Sequence, residues 1–168
     1  WISGGGAYGC MQSHRQILEA CLHDDIKSVL VLEDDAYFPP EFPERVARFL
    51  GQVPADWECL MLGGQHIRYE KTPPPLAVEG VLRCVNCQRT HAYGLRGRAI
   101  QDLYRRWMSW EPGTTGHCDH IMGPFMAQYK TYAPADRMGR PDFLVAQDDN
   151  QSDISGRRVR RVFWNPAP

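Results

Sequence analysis

The feature that most constrains the fold is residues 28–35, where the apolar run SVLVL leads into three carboxylates, Glu33, Asp34 and Asp35. An apolar run without polar alternation is typical of a strand covered on both faces, as in the parallel sheet of an α/β protein. In such sheets, ligands bind beyond the carboxyl ends of the strands. Three adjacent carboxylates repel one another unless a cation offsets their charge, and oxygen ligands suit Mg²⁺ or Mn²⁺. The segment therefore predicts an α/β fold with a metal site at the three acids, and a solvated acidic turn is the alternative.

The chain has 168 residues and a formal net charge of −1. This length suits a single domain, residues 1–168, with a hydrophobic core. A charge so close to zero gives no reason to expect nucleic acid as the main partner. No apolar run approaches the roughly 20 residues of a membrane-spanning helix, so any membrane contact is expected to be peripheral.

The six cysteines show no regular framework. Cys10 and Cys21 lie on one predicted helix, about 16 Å apart at a rise of 1.5 Å per residue, and cannot form a disulfide. Reduced thiols and a cytoplasmic location are therefore expected.

A small zinc-binding protein is one alternative, because Cys84 and Cys87 have the spacing of zinc ligands. His91 and the segment 117–120, which holds two histidines and a cysteine, offer further soft ligands. Residues three apart on a strand point to opposite faces, however. The zinc hypothesis therefore requires that residues 84–87 form a turn.

A helix is predicted over about residues 8–22, after a glycine-rich loop, from its repeat of apolar residues. Its start would offer free backbone N–H groups to a phosphate, and Ser13 and His14 could hydrogen-bond a ligand there. A histidine satisfied within the core is the alternative for His14. The strand predicted at residues 57–62 runs into Gly63 and Gly64, which allow close backbone approach to a ligand or a tight turn.

The remaining pattern alternates helices and strands. Helices are predicted near residues 42–50 and 97–108, strands between residues 76 and 95, and weaker strands at residues 129–133 and 143–146.

Six short motifs follow one another in a characteristic order: GCMQSH (9–14), VLEDDA (31–36), LMLG (60–63), HAYGL (91–95), CDH (118–120) and QSDI (151–154). Together they resemble glycosyltransferase family 25, which includes bacterial lipopolysaccharide and lipooligosaccharide glycosyltransferases and collagen galactosyltransferases. The resemblance spans nearly the whole chain and is loosest in its outer thirds.

The resemblance implies a GT-A-like (Rossmann-like) mixed sheet flanked by helices. It also implies transfer of a hexose, galactose or glucose, from a nucleotide diphosphate sugar, such as a UDP-sugar, to a glycan or lipid-linked acceptor. Glu33, Asp34 and Asp35 take the place of the family's DxD-type metal motif, with Mn²⁺ or Mg²⁺ as cofactor. Asp119 takes the place of the general base, with an N-cap role as the alternative.

Further substrate contacts are expected in or next to these motifs. Gly9, Ser13, His14 and Gly63 fall in the matching motifs and, together with the adjacent Gly64, are expected to bind the substrate. His120 is expected to contact the acceptor or the metal, with a surface histidine as the alternative. Ser152 and Asp153 are expected to hold the donor or to cap a turn. The family's first strand–helix unit has no counterpart here, so the chain is expected to be truncated at its N-terminus. A non-catalytic carbohydrate-binding remnant of the same fold is therefore a further alternative.

Overall fold

The structure is a computed structural model that describes residues 4–109, 117–148, 150–151, 158–159 and 161–164. Its elements, in chain order, are α1 (Gly4–His23), β1 (Ser28–Leu32), β2 (Ala36–Tyr37), α2 (Phe42–Gln52), β3 (Cys59–His66), β4 (Leu76–Val78), β5 (Val81–Arg83), β6 (Cys87–Arg96), α3 (Arg98–Met108), α4 (Cys118–Gln128), β7 (Thr131–Pro134), β8 (Ala146–Gln147), β9 (Asn150–Gln151) and β10 (Arg158–Val159).

The main sheet has six strands in the order β1-β6-β3-β7-β5-β4. Strands β3 and β7 run parallel, and the other neighbours are antiparallel. Strands β2 and β8, and β9 and β10, form two small antiparallel pairs. The predicted α/β class with a mixed sheet is confirmed, whereas the GT-A-like arrangement stays a prediction.

The core lies on both faces of β3. Met61 belongs to the larger cluster, which contains residues of α1, α3 and α4, including Leu18, Trp107 and Met122. Leu60 and Leu62 belong to a second cluster with Phe49 of α2. Because successive side chains of a strand point to opposite faces, three helices cover one face of the sheet and α2 covers the other.

The expectation that residues 28–32 form an inner strand of a parallel sheet is wrong. Strand β1 lies at the edge of the sheet and pairs antiparallel with β6. Val31 is 2% exposed, but Leu30 and Leu32 are 53% and 42% exposed. The run resembled a core strand because apolar residues occupy its odd and its even positions alike. In the part of the chain that the structure describes, however, only one face of β1 is covered.

Two helix starts also differ from the predictions. Helix α1 begins at Gly4 rather than near residue 8, so residues 4–6 are helical and not a loop. Helix α4 begins at Cys118 with His117 as its N-cap, so the alternative role of Asp119 as the N-cap is wrong. None of the helices in the described ranges is both long and apolar enough to cross a membrane.

Candidate functional site

Glu33 directly follows β1, and its carboxylate turns into the protein. The backbone N–H of Glu33 donates to the carbonyl of His91 at 3.0 Å, which continues the pairing of β1 with β6. Oε1 of Glu33 accepts hydrogen bonds from Oγ1 of Thr90 at 2.5 Å and from Nε2 of His14 at 3.0 Å. Burial alone would raise the pKa of Glu33, but these two hydrogen bonds outweigh it and lower the pKa. Glu33 is therefore an ionised carboxylate anchored in the core.

His14 is the buried cation that faces Glu33. Its Nδ1 lies 3.0 Å from the hydroxyl oxygen of Tyr93, so both ring nitrogens have protein partners. Burial alone would lower the pKa of His14, but hydrogen bonds to Cys10 and Glu33 outweigh it and raise the pKa to about 9. The ring is therefore an imidazolium at neutral pH that donates from both nitrogens. This geometry agrees with the alternative of a satisfied core histidine, and contact of His14 with a substrate stays a prediction.

Two cysteines connect this ion pair to the start of α4. Sγ of Cys10 lies 3.6 Å from Sγ of Cys118, which in turn lies 3.8 Å from Oγ1 of Thr90. The hydrogen bond from Cys118 is the largest cause that lowers the pKa of Cys10 to about 6, while burial acts in the opposite direction. The first residue of α4 is thereby fixed next to the group that holds Glu33.

The three predicted metal ligands do not point the same way. Asp34 is exposed. Oδ2 of Asp35 accepts a hydrogen bond from Nε2 of Gln147 at 3.2 Å, and the backbone carbonyl of Asp35 accepts one from the N–H of Asp148 at 2.7 Å. Among the described residues, the carboxylates of Glu33, Asp34 and Asp35 are not gathered into one three-ligand group. Only Asp34 and Asp35 are therefore placed to meet a ligand outside the core.

Asp119 lies in the first turn of α4, next to Cys118. Its Oδ1 is buried and receives no hydrogen bond from any residue that the structure describes, although Nε2 of His120 lies 3.9 Å away. His120 itself is exposed, and its ring centroid lies 5.3 Å from that of His117. The structure thus brings the start of α4, which carries Asp119, to the carboxyl end of β1, which carries the acidic triplet.

The α1 residues of the predicted donor site lie elsewhere than expected. Because α1 begins at Gly4, Ser13 and His14 lie in its third turn and not at its start. The hydroxyl of Ser13 donates back to the carbonyl of Gly9 at 3.1 Å. Ser13 and His14 therefore do not lie at the helix start, and their contact with a ligand stays a prediction.

Gly63 and Gly64 lie within β3 and form no turn. A Cβ at Gly63 would stand 2.1 Å from Nε2 of His91, and a Cβ at Gly64 would stand 2.8 Å from Sγ of Cys87. Residues of β6 and residues 143 and 145 fill the space beside both glycines, so the glycines allow close packing there. Their contact with a ligand stays a prediction. Ser152 and Asp153 lie outside the described residues.

Comparison with known proteins assigns a family to part of the chain. Residues 4–77 match the family model described as glycosyltransferase family 25 (LPS biosynthesis protein). Over these residues the chain is a glycosyltransferase family 25 domain. The matched range contains α1, the acidic triplet and β3, and it ends before Asp119.

Relatives of this family 25 domain are distant. A human protein named inactive glycosyltransferase 25 family member 3 is 32% identical over 94 residues, which cover 54% of this chain and 16% of that protein. A glycosyltransferase 25 family member of Drosophila melanogaster is 33% identical over 70 residues, which cover 40% of this chain and 11% of that protein. No solved structure matches. The chain spans only a small part of these relatives, so their names do not establish its activity.

Thr90 and Tyr93 are site residues that sequence reasoning missed. Both lie on β6, where they hold Glu33 and His14. Neither residue type signals a polar contact by itself, since buried threonine and tyrosine occur in many strands. The pairing of β6 with β1 places them, and that pairing is not local in sequence.

Replacing Gly63 with alanine is expected to destabilise the family 25 domain by about 1–3 kcal/mol, the usual cost of overpacking a core. The new methyl group would meet the ring of His91 at 2.1 Å and the backbone oxygen of Val145 at 2.9 Å, and neither can move freely. Denaturant unfolding measures the change. Gly9→Ala is the matched control, because nothing lies within 4 Å of the added Cβ. Its free energy of unfolding should rise by about 0.5–1 kcal/mol, since alanine is favoured over glycine within a helix. Equal midpoints for Gly63→Ala and the parent would contradict the packing argument.

Proposed function

We propose that the chain is the catalytic domain of a metal-dependent glycosyltransferase. It would move a hexose, galactose or glucose, from a nucleotide diphosphate sugar such as a UDP-sugar to a hydroxyl group of a glycan or lipid-linked precursor of a surface glycan. The observation that supports the proposal is the proximity of two elements: Thr90 contacts both Glu33 at the end of β1 and Cys118 at the start of α4. The family match over residues 4–77 supports the same class of reaction.

Asp34 and Asp35 fit a divalent cation that is shared with the donor. Mg²⁺ and ions like it are commonly held by one or two carboxylates together with substrate phosphates and water. Asp34 is exposed and Asp35 is half-buried, whereas Oε1 of Glu33 already accepts hydrogen bonds from His14, Thr90 and Cys10. A bound Mn²⁺ or Mg²⁺ would offset the negative charge that develops on the leaving diphosphate.

Glu33 has a positioning role in this proposal. It neutralises His14 and fixes Thr90, and these contacts hold α1, β6 and the start of α4 at the end of β1. The two acids that follow Glu33 then leave the sheet at a defined point. The predicted direct contact of Glu33 with the metal is not part of the proposal.

Asp119 would act as general base. Its buried Oδ1 receives no hydrogen bond from the described part of the chain, so it can accept one from an acceptor hydroxyl. Removing that proton makes the acceptor oxygen a stronger nucleophile as the bond to the diphosphate breaks. Attack from the side opposite the leaving group would invert the anomeric carbon. His120, exposed beside Asp119, would contact the acceptor.

We further propose a cytoplasmic location. Cys10 and Cys118 lie with their sulfur atoms 3.6 Å apart and form no disulfide, and such a pair is compatible with a reducing compartment.

A non-catalytic carbohydrate-binding domain is the second candidate. It is favoured by the name of the human relative, which describes that protein as inactive, and by the inward position of Glu33, whose carboxylate is paired with His14. The two candidates differ in turnover. A transferase releases free nucleotide from its donor when the acceptor is present, whereas a binding domain retains affinity for a glycan and releases none.

Asp35→Asn is expected to abolish metal-dependent binding of the donor. The amide keeps an oxygen for Nε2 of Gln147 but loses the charge that attracts a cation. Calorimetric titration of UDP-galactose and UDP-glucose, with and without Mn²⁺, measures the effect, and Asp34→Asn should behave in the same way. Asp25→Asn, which changes an exposed acid paired with Lys27, is the control. The assignment of Asp35 fails if its variant titrates like the parent in the presence of Mn²⁺.

A further inference from the structure

A second group of ligand-type side chains lies at the other end of β3. His66 is the last residue of β3 and stands directly opposite Cys87, the first residue of β6. Cys84 directly follows β5, and residues 85–86 form a bend between the two cysteines. The Cys-x-x-Cys segment is therefore a turn, which is the condition that the zinc hypothesis required.

Backbone hydrogen bonds fix this turn against the sheet. The N–H of Ile67 donates to the carbonyl of Asn86 at 2.9 Å, and the N–H of Cys84 donates to the carbonyl of Thr131 at 2.9 Å. The turn is thereby attached to the end of β3 and to the first residue of β7. Three side chains from separate parts of the chain are held together before any ligand is considered.

These three side chains converge on one point. Sγ of Cys84, Sγ of Cys87 and a ring nitrogen of His66 all lie within 4.8 Å of one another. The residues are 1%, 0% and 7% exposed. Ligand atoms on a tetrahedral zinc ion lie roughly 3.6 Å apart, given bond lengths of about 2.0–2.3 Å. Small side-chain movements would bring the three atoms to such an ion.

His66 carries the second, independent observation. Among the described residues, neither of its ring nitrogens has a hydrogen-bond partner, although the ring is buried and stacks on Phe143 at 5.3 Å. A neutral imidazole ring has one nitrogen with a free lone pair, which can bind a metal. A buried polar group without a partner is costly, and coordination to a metal would satisfy it.

We propose that His66, Cys84 and Cys87 bind a zinc ion. On binding, the two thiols release their protons to solvent, and the two thiolates and the neutral imidazole donate electron pairs to the metal. The charges of Zn²⁺ and two thiolates cancel, so the assembled group suits a buried position. Three protein ligands leave the fourth position of a tetrahedron to a solvent molecule or another donor.

The ligand set differs from the one that the sequence suggested. His91 does not join the cysteines, because its Nε2 lies 3.2 Å from the carbonyl oxygen of Val145. Within the described ranges, Cys10, His14 and Cys118 form a second group with suitable ligand atoms, but both nitrogens of His14 already have protein partners. That second group provides the control for the experiment, since it has the same residue types in a different place.

The test measures metal in tag-free protein, because a histidine tag would bind the same ions. Protein from zinc-supplemented culture is expected to contain one zinc ion per chain after gel filtration. Replacement by Co²⁺ should give the thiolate-to-cobalt charge-transfer band in the near ultraviolet. Cys84→Ser and Cys87→Ser should lose both signals, while Cys118→Ser and Cys59→Ser, which change other buried thiols, should keep them.

X-ray absorption at the zinc edge keeps the proposal testable if the serine variants do not fold. The unmodified protein should show two sulfur ligands and at least one nitrogen ligand. Absence of stoichiometric zinc and of the cobalt band in the unmodified protein would overturn the proposal, as would loss of the metal in Cys118→Ser with retention in Cys84→Ser. Neither result depends on glycosyltransferase activity.

Discussion

Asp119→Asn is expected to lower the rate of sugar transfer by about 10²- to 10⁴-fold, the usual contribution of a general base. The amide occupies the same volume but cannot take a proton from the acceptor hydroxyl. Donor affinity should not change, because the proposed donor and metal contacts lie at the end of β1 and not on α4. Single-turnover assays with a nucleotide sugar and a glycan acceptor measure the rate, and calorimetry measures the affinity.

The control for this experiment is Asp24→Asn, which removes an exposed acid beside His23 at the end of α1 and should leave transfer unchanged. Far-ultraviolet circular dichroism establishes that both variants fold. Full transfer activity in folded Asp119→Asn would exclude Asp119 as the base. Loss of donor affinity together with transfer would instead assign it to the donor site.

Elements that depend on local pattern could be predicted from the sequence. The run at residues 28–32 is β1, and the helix predicted at residues 97–108 is α3, Arg98–Met108. The apolar repeat of a helix or a strand is visible within a few neighbouring residues. Predicting these elements therefore required no knowledge of the rest of the fold. The family resemblance was confirmed over residues 4–77 because its motifs are likewise contiguous.

Features that depend on strand pairing could not be predicted. The position of β1 at the edge follows from its partner β6, which lies about 60 residues farther along the chain. The pairing of His66 with Cys87 follows from the register between β3 and β6, which includes two irregularities. No local pattern indicates either one, so the edge strand was misplaced and His66 was overlooked as a partner of the cysteines.

The acidic triplet combines both cases. Its position at the end of β1 could be predicted from the sequence, but the three acids were expected to act as one metal-binding group. The alternation of β1 continues beyond the strand: Val31 and Glu33 turn inward, whereas Leu32 and Asp34 are exposed. Because neighbouring side chains of an extended segment point to opposite sides, adjacent acids face apart. The same period of two that predicts the strand also decides which acid points inward.

Glu33→Ala is expected to be the most destabilising single change at the site. It removes the acceptor of Nε2 of His14 and of Oγ1 of Thr90, and it leaves a buried imidazolium without its counter-charge. The side chains of Glu33 and His14 are only 22% and 4% exposed, so solvent screens the ion pair weakly. Breaking such a pair costs about 3–5 kcal/mol, which for a domain of this size lowers Tm by roughly 6–20 °C.

The loss of stability in Glu33→Ala should depend on pH, because both members of the ion pair titrate. The pKa of His14 is raised from its ordinary value of 6.5 to about 9, so its contribution is fully present below pH 6.5 and disappears as the pH rises through 9. The pKa of Glu33 is lowered from 4.5, so its contribution is present above pH 4.5 and disappears as the pH falls through the lowered value. The stability difference between parent and Glu33→Ala should therefore be largest between about pH 4.5 and 6.5 and smaller above pH 9.

Thermal unfolding at several pH values tests this prediction, with Glu44→Ala in the first turn of α2 as the control for loss of a surface acid. Cys10, whose pKa is lowered to about 6, titrates in the same range, so the series is repeated in a Cys10→Ser background. A difference that stays constant from pH 5 to pH 10 would show that His14 is neutral in the folded protein. Glu33 would then stabilise the site by hydrogen bonding alone, because an uncharged ring needs an acceptor but no counter-ion.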